Sequence, residues 1–227
     1  MIDHIPVIIA AAGTGTRLGL GRPKCLVPIN GTPLINYLLF LLRDFADIRL
    51  VVGFGREEVR THVAALRSGV RFITNADFEN TNTLQSLFLG AQGVEGNCLC
   101  LDGDMVIEEA SFARFLAQCA NGLPRIAVSE DITDDPVYAA AGRTSSGELE
   151  ILAFTIEPTA HEWANVAYIP ADWLAWENLH FFRRLQNYLP CSGAVLRRLE
   201  VDTGQDLAHA EGVLRGEPGF CRYLRGD

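Results

Sequence analysis

Hydrophobic residues in the first 130 positions form two kinds of segment that alternate along the chain. Short β-branched runs predict strands at 6–10, 48–53, 70–74, 98–102 and 125–129. Longer segments, in which apolar residues recur every three or four positions, predict helices at 33–45, 56–68, 83–94 and 108–120. Strands that alternate with helices are typical of crossover connections, so this part predicts an α/β fold with a mostly parallel sheet.

The pattern changes after residue 129. Short apolar runs separated by polar turns predict strands at 136–142, 149–154 and 165–169, and these are followed by a predicted helix at 170–188, a strand at 194–201 and a helix at 205–215. We interpret this part as a β-rich extension that closes over one end of the first sheet. No linker-like stretch separates the two parts, so we expect a single domain over residues 1–227.

Charge and length exclude several classes of function. The formal net charge of −9 over 227 residues argues against nonspecific binding to nucleic acid or to an anionic membrane, because both depend on clustered cations. The longest apolar stretch, VIIAAAG, is too short for a membrane span and lacks the basic flank of a signal peptide. We therefore expect a cytoplasmic protein, as a monomer or homodimer. The six cysteines show no zinc-ligand spacing, and we expect buried thiols.

A glycine-rich loop follows the first predicted strand, in AAAGTGTRLGLGRPK. Small residues such as Gly13 and Gly15 let the backbone approach a ligand closely, and consecutive N–H groups in such a turn bind anions. An ordinary strand-to-helix turn has the same composition. The dinucleotide fingerprint G-x-G-x-x-G fails because Leu18 stands at the third glycine, and the G-K-[ST] of a P-loop is also missing. Lys24, the only lysine in the chain, follows this loop.

The loop and its continuation resemble a known family. The signature A-A-G-x-G-x-R followed by P-K, and the continuation CLVPINGTPLINY, are similar to those of nucleotidyltransferases that join a nucleoside triphosphate to a phosphorylated small molecule. The resemblance implies a Rossmann-like nucleotidyltransferase fold: three layers, with a mostly parallel, mixed sheet, helices on both faces and a small β-rich extension. It implies catalytic roles for Lys24 and Arg17, and nucleotide contacts from Ala11, Ala12, Gly13, Thr14, Gly15 and Thr16.

Two acidic segments follow predicted strands. In CLCLDGDMVI, Asp102 and Asp104 end a strand, where α/β sheets bind ligands, although a tight Asp-Gly turn would use the same residues. The segment LEVDTGQDL places Asp202 between a strand and a helix capped by Thr203. It resembles a C-terminal segment of cytidylyltransferases. The resemblance implies that Asp104 and Asp202 bind Mg²⁺ and that Asp102 contacts the nucleotide.

The segment at 69–90 is similar to that of bacterial phosphocholine cytidylyltransferases and of their relatives that act on 2-aminoethylphosphonate and inositol phosphate. Asn75, Asn82, Thr83 and Ser86 occupy the matching positions, and the resemblance implies nucleotide contacts from Asn82, Thr83 and Ser86. Their side chains donate and accept hydrogen bonds, as contact with a pyrimidine or a ribose requires. Capping of the following helix by Asn82 or Thr81 is an equal alternative.

The implied reaction transfers CMP from CTP to a small acceptor that carries a phosphate or phosphonate, with Mg²⁺ and release of pyrophosphate. A second lysine found in many family members is missing, so the acceptor contacts must differ. The acidic segment SEDITDDPVYA offers Asp131, Asp135 and Tyr138, which favours an acceptor with an amine over choline. Residues 1–129 would bind the nucleotide, and 130–227 would bind the acceptor and complete the metal site. A sugar-1-phosphate nucleotidyltransferase that uses UTP or another nucleotide, and a noncatalytic nucleotide sensor, are the alternatives.

Overall fold

The computed structural model describes residues 4–15 and 18–222. The strands are β1 (Val7–Ala11), β2 (Pro28–Ile29), β3 (Thr32–Pro33), β4 (Ile48–Val52), β5 (Arg71–Thr74), β6 (Asn97–Asp102), β7 (Met105–Ile107), β8 (Arg125–Ser129), β9 (Tyr138–Arg143), β10 (Leu149–Thr155), β11 (Glu162–Pro170), β12 (Cys191–Val195) and β13 (Arg198–Glu200). The helices are α1 (Leu34–Leu41), α2 (Arg56–Leu66), α3 (Thr83–Ala91), α4 (Glu109–Cys119), α5 (Phe181–Leu185) and α6 (Gly204–Gly216).

Nine strands form one mixed sheet in the order β5-β4-β1-β6-β11-β8-β12-β10-β9. The pairs from β5 to β6 are parallel, as crossover connections through α2 and α3 require. At β11 the direction reverses, and its antiparallel register with β6 places Val166 opposite Leu101. This sheet confirms the predicted α/β fold, and its mostly parallel part is β5 to β6. The strands of the β-rich extension add antiparallel pairs and lengthen this sheet, so the prediction that they close over one of its ends is wrong.

Helices cover both faces of the sheet because its central strands are apolar on both sides. Along β1, Ile9 packs toward α1 and contributes to a cluster with Leu38, whereas Ile8 packs toward α3 with Leu84 and Leu87. The first face also holds α2 and α4, and the second holds α5. The predicted three-layer arrangement is therefore confirmed. None of the helices in the described part of the chain combines the length and apolar character needed to cross a bilayer.

The predicted cysteine environment is confirmed as well, since all six cysteines are buried thiols. The twelve strands and helices predicted before residue 165 and at 205–215 are all present, and their ends agree with the structure to within four residues. Three short strands, β2, β3 and β7, escape prediction because two or three residues cannot show a period.

Two predicted elements in the extension are wrong. The helix at 170–188 is replaced by a 3-10 turn at Ala171–Trp173, the five-residue α5 and a second 3-10 turn at Gln186–Tyr188. The Trp173 ring stacks on Tyr188 at 4.0 Å, and Arg184 Nε donates to the Trp173 carbonyl at 2.7 Å. These tertiary contacts fold the segment back on itself and override its helical pattern.

The predicted strand at 194–201 is two strands in two different sheets. The chain leaves the large sheet after β12, and β13 then pairs antiparallel with β7. The apolar run hides this break because Leu196 and Leu199 are both buried, each beside a different sheet. The β7–β13 pair therefore brings Asp104, which follows β6, next to Asp202, which follows β13.

Candidate active site

Three residues from distant parts of the chain meet where β6 and β13 end. Lys24 Nζ donates a hydrogen bond to Asp104 Oδ2 at 2.6 Å and another to Asp202 Oδ1. The two acidic segments are also joined through their backbones, because Val201 N donates to the Asp104 carbonyl at 3.0 Å. The structure thus brings the predicted catalytic lysine together with both predicted metal ligands.

Two glycines hold the loop that carries Lys24. Gly15 has a φ of +62°, and a Cβ atom there would lie 3.1 Å from the Lys24 Cβ. Gly55 has a φ of +57°, and a Cβ atom there would lie 2.4 Å from the Pro23 Cγ. Both positions demand a residue without a side chain, for conformational and for steric reasons. The glycine loop and the start of α2 therefore pack closely against the Pro23–Lys24 segment.

The Asp202 segment is fixed by the start of α6. Thr203 is the N-cap of this helix and accepts from Asp206 N, which confirms the predicted cap. The Asp206 carboxylate accepts in return from the backbone N–H of Thr203 at 2.7 Å and from that of Asp202 at 3.0 Å. Asp206 therefore fixes the backbone from which the Asp202 carboxylate reaches Lys24.

Negative charge is concentrated around Lys24. Burial alone lowers the pKa of Lys24, but attraction to Asp104 and Asp202 raises it overall, so the lysine stays an ammonium. Burial and repulsion from Asp104 and Glu200 raise the pKa of Asp102. Burial raises the pKa of Glu200 to about 7, and Arg198 opposes that rise. The site therefore favours bound cations.

The carboxylates at Lys24 fit a hard divalent cation. Asp104 and Asp202 already converge on one positive charge, and Asp104 Oδ1 is buried without a hydrogen-bond partner. Oxygen ligands of this kind suit Mg²⁺, which takes one or two carboxylates and completes its shell with water and phosphate oxygens. Among the described residues, no group of three or more His, Cys, Asp or Glu side chains is arranged to hold a metal by itself.

A cavity of about 270 Å³ opens beside these residues. Its acidic lining consists of Asp102, Asp134, Asp135, Glu162, Glu200, Asp202 and Asp206. Its apolar side contains Trp163, Phe181 and Phe182. Trp163 and Phe181 meet edge to face with their ring centroids 5.7 Å apart, so these rings pack on one another.

A buried ion pair shapes one wall of this cavity. Arg198 NH2 lies 2.8 Å from Glu162 Oε1 and 3.2 Å from Glu200 Oε2. Glu162 also accepts from the backbone N–H of Thr133 at 2.7 Å and from its hydroxyl at 2.9 Å. This network ties the acidic segment after β8 to β11 and β13, and so places Asp134 and Asp135 at the cavity.

Sequence reasoning assigned no role to Glu162, Asn165 or Glu200, although all three line the cavity. Asn165 has a φ of +57°, which is uncommon for a residue other than glycine, and its Nδ2 donates to Glu200 at 3.0 Å. The sequence offers one kind of signal for this group, a charge within an apolar run, at Glu162 beside Trp163 and at Glu200 beside Leu199, and it offers none for Asn165.

Of the residues near α3 that are predicted to contact the nucleotide, one lines the cavity and two have structural roles. Thr83 lines the cavity. Asn82 is the N-cap of α3 and forms a capping box with Gln85, so the capping alternative is confirmed. Ser86 is buried and its hydroxyl accepts from Asn75 Nδ2 at 3.1 Å. Nucleotide contact by Asn82 and Ser86 stays a prediction, and both side chains already have a structural role.

Some of the remaining predicted residues line this cavity and others do not. Ala11 and Ala12 are buried at the end of β1, and the backbone of Gly13 and Thr14 continues into the loop beside Lys24. Asp135 lines the cavity, whereas Asp131 and Tyr138 do not, because Asp131 pairs with Arg197 at 3.3 Å and Tyr138 pairs with β11. The predicted contacts of Thr16 and Arg17 lie outside the described residues.

Known structures share this fold over nearly the whole chain. The inositol-1-phosphate CTP transferase of T. maritima matches with a TM-score of 0.74 at 18% identity, covering 94% of this chain and 98% of that one. The CTP:phosphocholine cytidylyltransferase of Streptococcus pneumoniae matches with a TM-score of 0.72 at 22% identity, covering 92% and 99%. At these identities the likeness establishes the fold.

Curated relatives match over a shorter range. The CMP-5'-(3-aminopropyl)phosphonate synthase of Streptomyces rubellomurinus is 35% identical over 124 residues, which is 51% of this chain and 20% of that protein. The bifunctional protein GlmU of Paraburkholderia phymatum is 32% identical over 159 residues, or 69% of this chain and 34% of that protein. The chain thus matches about a fifth to a third of the length of these relatives.

The family model described as the MobA-like NTP transferase domain matches residues 7–167. The match begins with β1, includes the glycine loop, Lys24 and Asp104, and extends into β11. It covers well over half of the chain and agrees with the fold and with the position of the candidate site. The chain therefore belongs to the MobA-like NTP transferase family.

Proposed function

We propose that this protein transfers CMP from CTP to a small acceptor that carries a phosphate or phosphonate group and an amine, with Mg²⁺ and release of pyrophosphate. The observation that carries the proposal is the convergence of Lys24, Asp104 and Asp202 beside an acidic cavity. Cytidylyl transfer is supported by the relative named for a CMP-aminopropylphosphonate product and by the two CTP-dependent structural neighbours.

In the proposed reaction, an anionic oxygen of the acceptor attacks the α-phosphorus of CTP. The bond between that phosphorus and the oxygen that bridges to the β-phosphorus breaks, and pyrophosphate leaves. The attacking oxygen is already ionised, so no side chain has to remove a proton. Catalysis then depends on alignment of the reactants and on neutralisation of phosphate charge.

Lys24 suits the second task. Its ammonium has three N–H donors, and two of them bind Asp104 and Asp202, so the third can donate to a phosphate oxygen. A positive charge at this place stabilises the negative charge that develops around the α-phosphorus. Bound Mg²⁺, held by Asp104 and Asp202, would neutralise further phosphate charge and align the phosphate oxygens. Backbone N–H groups of the glycine loop and the Arg17 side chain would hold the pyrophosphate part.

The acidic cavity supports an acceptor with a primary amine. Asp134 and Asp135 line it with exposed carboxylates, and an acceptor that displaces water from them would strengthen their attraction for its ammonium group. A quaternary ammonium would instead need open aromatic faces. Trp163 and Phe181 pack edge to face and are both buried, so they offer little of that surface.

Measurement of pyrophosphate release tests the proposal. The purified protein is incubated with Mg²⁺, each of the four common nucleoside triphosphates, and four acceptors: 2-aminoethylphosphonate, ethylphosphonate, phosphocholine and glucose 1-phosphate. We expect the fastest release with CTP and 2-aminoethylphosphonate. Ethylphosphonate has the same reacting group without the amine, and we expect it to react with a KM at least about tenfold higher.

An Asp135→Asn variant separates the amine contact from the reaction. We expect a higher KM for 2-aminoethylphosphonate and little change for ethylphosphonate, because only the first ligand has an ammonium for that carboxylate. Glu95→Asn, at an exposed position outside the cavity, is the matched control and should change neither value. Equal effects on both acceptors would refute the proposed amine contact.

A sugar-1-phosphate nucleotidyltransferase is the second candidate. The fold match to a UDP-glucose pyrophosphorylase, with a TM-score of 0.77 over 94% of this chain, is the observation in its favour. Fastest release with UTP and glucose 1-phosphate would establish this alternative. Release with none of the sixteen pairs would favour a nucleotide sensor without turnover.

A further inference from the structure

A second cavity, of about 430 Å³, shares no lining residue with the candidate active site. It lies between the C-terminal half of α4, the start of β8, the strand β12 and the turn that connects β9 to β10. The candidate active site opens instead near α3, α5 and the ends of β6 and β13. A ligand in the second cavity would therefore not compete with the nucleotide or the acceptor.

The charge of this cavity differs from that of the whole chain. Its ionisable lining consists of Arg114, Arg125, Arg143, His161, Glu130 and Glu148. With histidine neutral, three positive charges face two negative ones, whereas the chain carries a net charge of −9. A positive cavity in an acidic protein attracts anions locally.

Arg125 provides the main evidence for a ligand in this cavity. It is only 3% exposed, and its NH1 atom donates to the Gly193 carbonyl at 3.0 Å. Its Nε atom is buried and has no hydrogen-bond partner, and none of the ion pairs among the described residues includes Arg125. Arginine cannot lose its charge in a protein, and a buried charge without a counter-ion destabilises the fold.

Neighbouring thiols do not supply the missing negative charge. Burial raises the pKa of Cys119 to about 12 and that of Cys191 to about 11, and the attraction of Arg125 lowers both only in part. Both thiols are therefore neutral near pH 7. The arginine is thus left with a carbonyl oxygen as its partner inside the fold.

We propose that this second cavity binds a small phosphate-bearing anion, with Arg125 at its base and Arg114 and Arg143 at its rim. Arg143 donates one N–H to the Gly147 carbonyl at 2.8 Å, which places its side chain along the turn. The planar fork of a guanidinium matches two oxygens of a phosphate. Glu130 and Glu148 limit the charge of the ligand, so inorganic phosphate or a monoester fits better than a triphosphate.

Calorimetric titration with inorganic phosphate, in chloride buffer without Mg²⁺, tests this site. We expect the affinity to fall at least about tenfold in Arg125→Gln and in the double variant Arg114→Gln/Arg143→Gln, since each loses charge-assisted hydrogen bonds. Arg71→Gln removes an exposed arginine from β5, outside the cavity, and should leave the affinity unchanged. Lys24→Met, titrated at a temperature at which circular dichroism shows that it is folded, should also retain phosphate binding, because Lys24 does not line this cavity.

Three results would overturn the proposal. They are absence of phosphate binding to the wild-type protein, equal affinities in the wild type and the rim double variant, and loss of binding in Lys24→Met but not in the arginine variants. Should Arg125→Gln fail to fold, as shown by circular dichroism, the double variant decides the matter because both of its side chains are exposed. Binding of tripolyphosphate that is tighter than that of phosphate, and that is lost in the rim double variant, would refute the limit set by Glu130 and Glu148.

Discussion

Replacement of Lys24 by methionine tests how much its ammonium stabilises the two carboxylates that it joins. The side chain of Lys24 is 14% exposed, and those of Asp104 and Asp202 are 22% and 24% exposed. Methionine keeps a long apolar stem and removes the charge. The two carboxylates then lie close together without a cation between them, and each loses a hydrogen bond.

The size of the effect follows from the burial of the three groups. Loss of one partner from a buried ion pair costs about 3–5 kcal/mol, and the partial exposure of these carboxylates favours the lower end, about 3 kcal/mol. For a chain of this length, that corresponds to a fall in Tm of roughly 6–12 °C. Millimolar Mg²⁺ should recover much of the loss, because it binds the vacated position between the carboxylates in the folded state alone.

Urea unfolding in EDTA measures the loss of stability, and urea unfolding in about 10 mM MgCl₂ measures its recovery. This concentration is chosen because it exceeds a millimolar Kd for the ion. In Lys24→Met/Asp202→Asn the repulsion is removed, so this double variant should be more stable than Lys24→Met in EDTA. Arg71→Met is the control: its exposed pair with Asp47 should contribute less than about 1 kcal/mol, independent of Mg²⁺. A Lys24→Met protein as stable as the wild type in EDTA, or equally destabilised in both buffers, would refute the reasoning.

Three further outcomes are expected. Lys24→Arg should lower the rate of pyrophosphate release by about 10²-fold or more in a folded protein, because a planar guanidinium cannot replace a compact ammonium. A near-normal rate would show that Lys24 has no catalytic role. Arg198→Met should lower the free energy of unfolding in urea by about 3–5 kcal/mol, and Glu162→Gln in the same chain should reduce that loss; a change below about 1 kcal/mol would contradict the buried network. Asp206→Ala should cost about 1 kcal/mol of stability and raise the Mg²⁺ concentration for half-maximal turnover, whereas an unchanged Mg²⁺ requirement would show that Asp202 is held without it.

The parts of the fold that the sequence predicts well are those in which local pattern and tertiary packing agree. The β-branched runs of β1, β4 and β8 are buried on both faces, and their length and flanking turns identify them as strands. The segment 170–188 shows the opposite case. Its apolar residues repeat as in a helix, but the stacking of Trp173 on Tyr188 decides its path, and that contact joins residues fifteen positions apart.

The residues of the candidate site differ in the same way: some belong to local motifs, and others are placed only by tertiary contacts. Lys24, Asp104 and Asp202 could be named from the sequence because each lies in a segment that resembles a family motif, whereas their meeting depends on the antiparallel pairing of β7 with β13. Glu162 belongs to no motif and has its place because Arg198 is buried opposite it, and that pairing exists only after β11 and β13 have folded.

The difference between the two sets also indicates where specificity resides. The motif residues are proposed to bind the phosphates, a part that every nucleoside triphosphate shares, so we expect their spacing to tolerate little change. The wall set by Glu162 faces the cavity in which the acceptor is proposed to bind, and it depends on long-range contacts that substitutions elsewhere in the extension can alter. On this proposal, the sequence identifies the residues expected to bind the nucleotide more readily than it identifies the acceptor, because the charge and shape of the proposed acceptor cavity exist only in the folded extension.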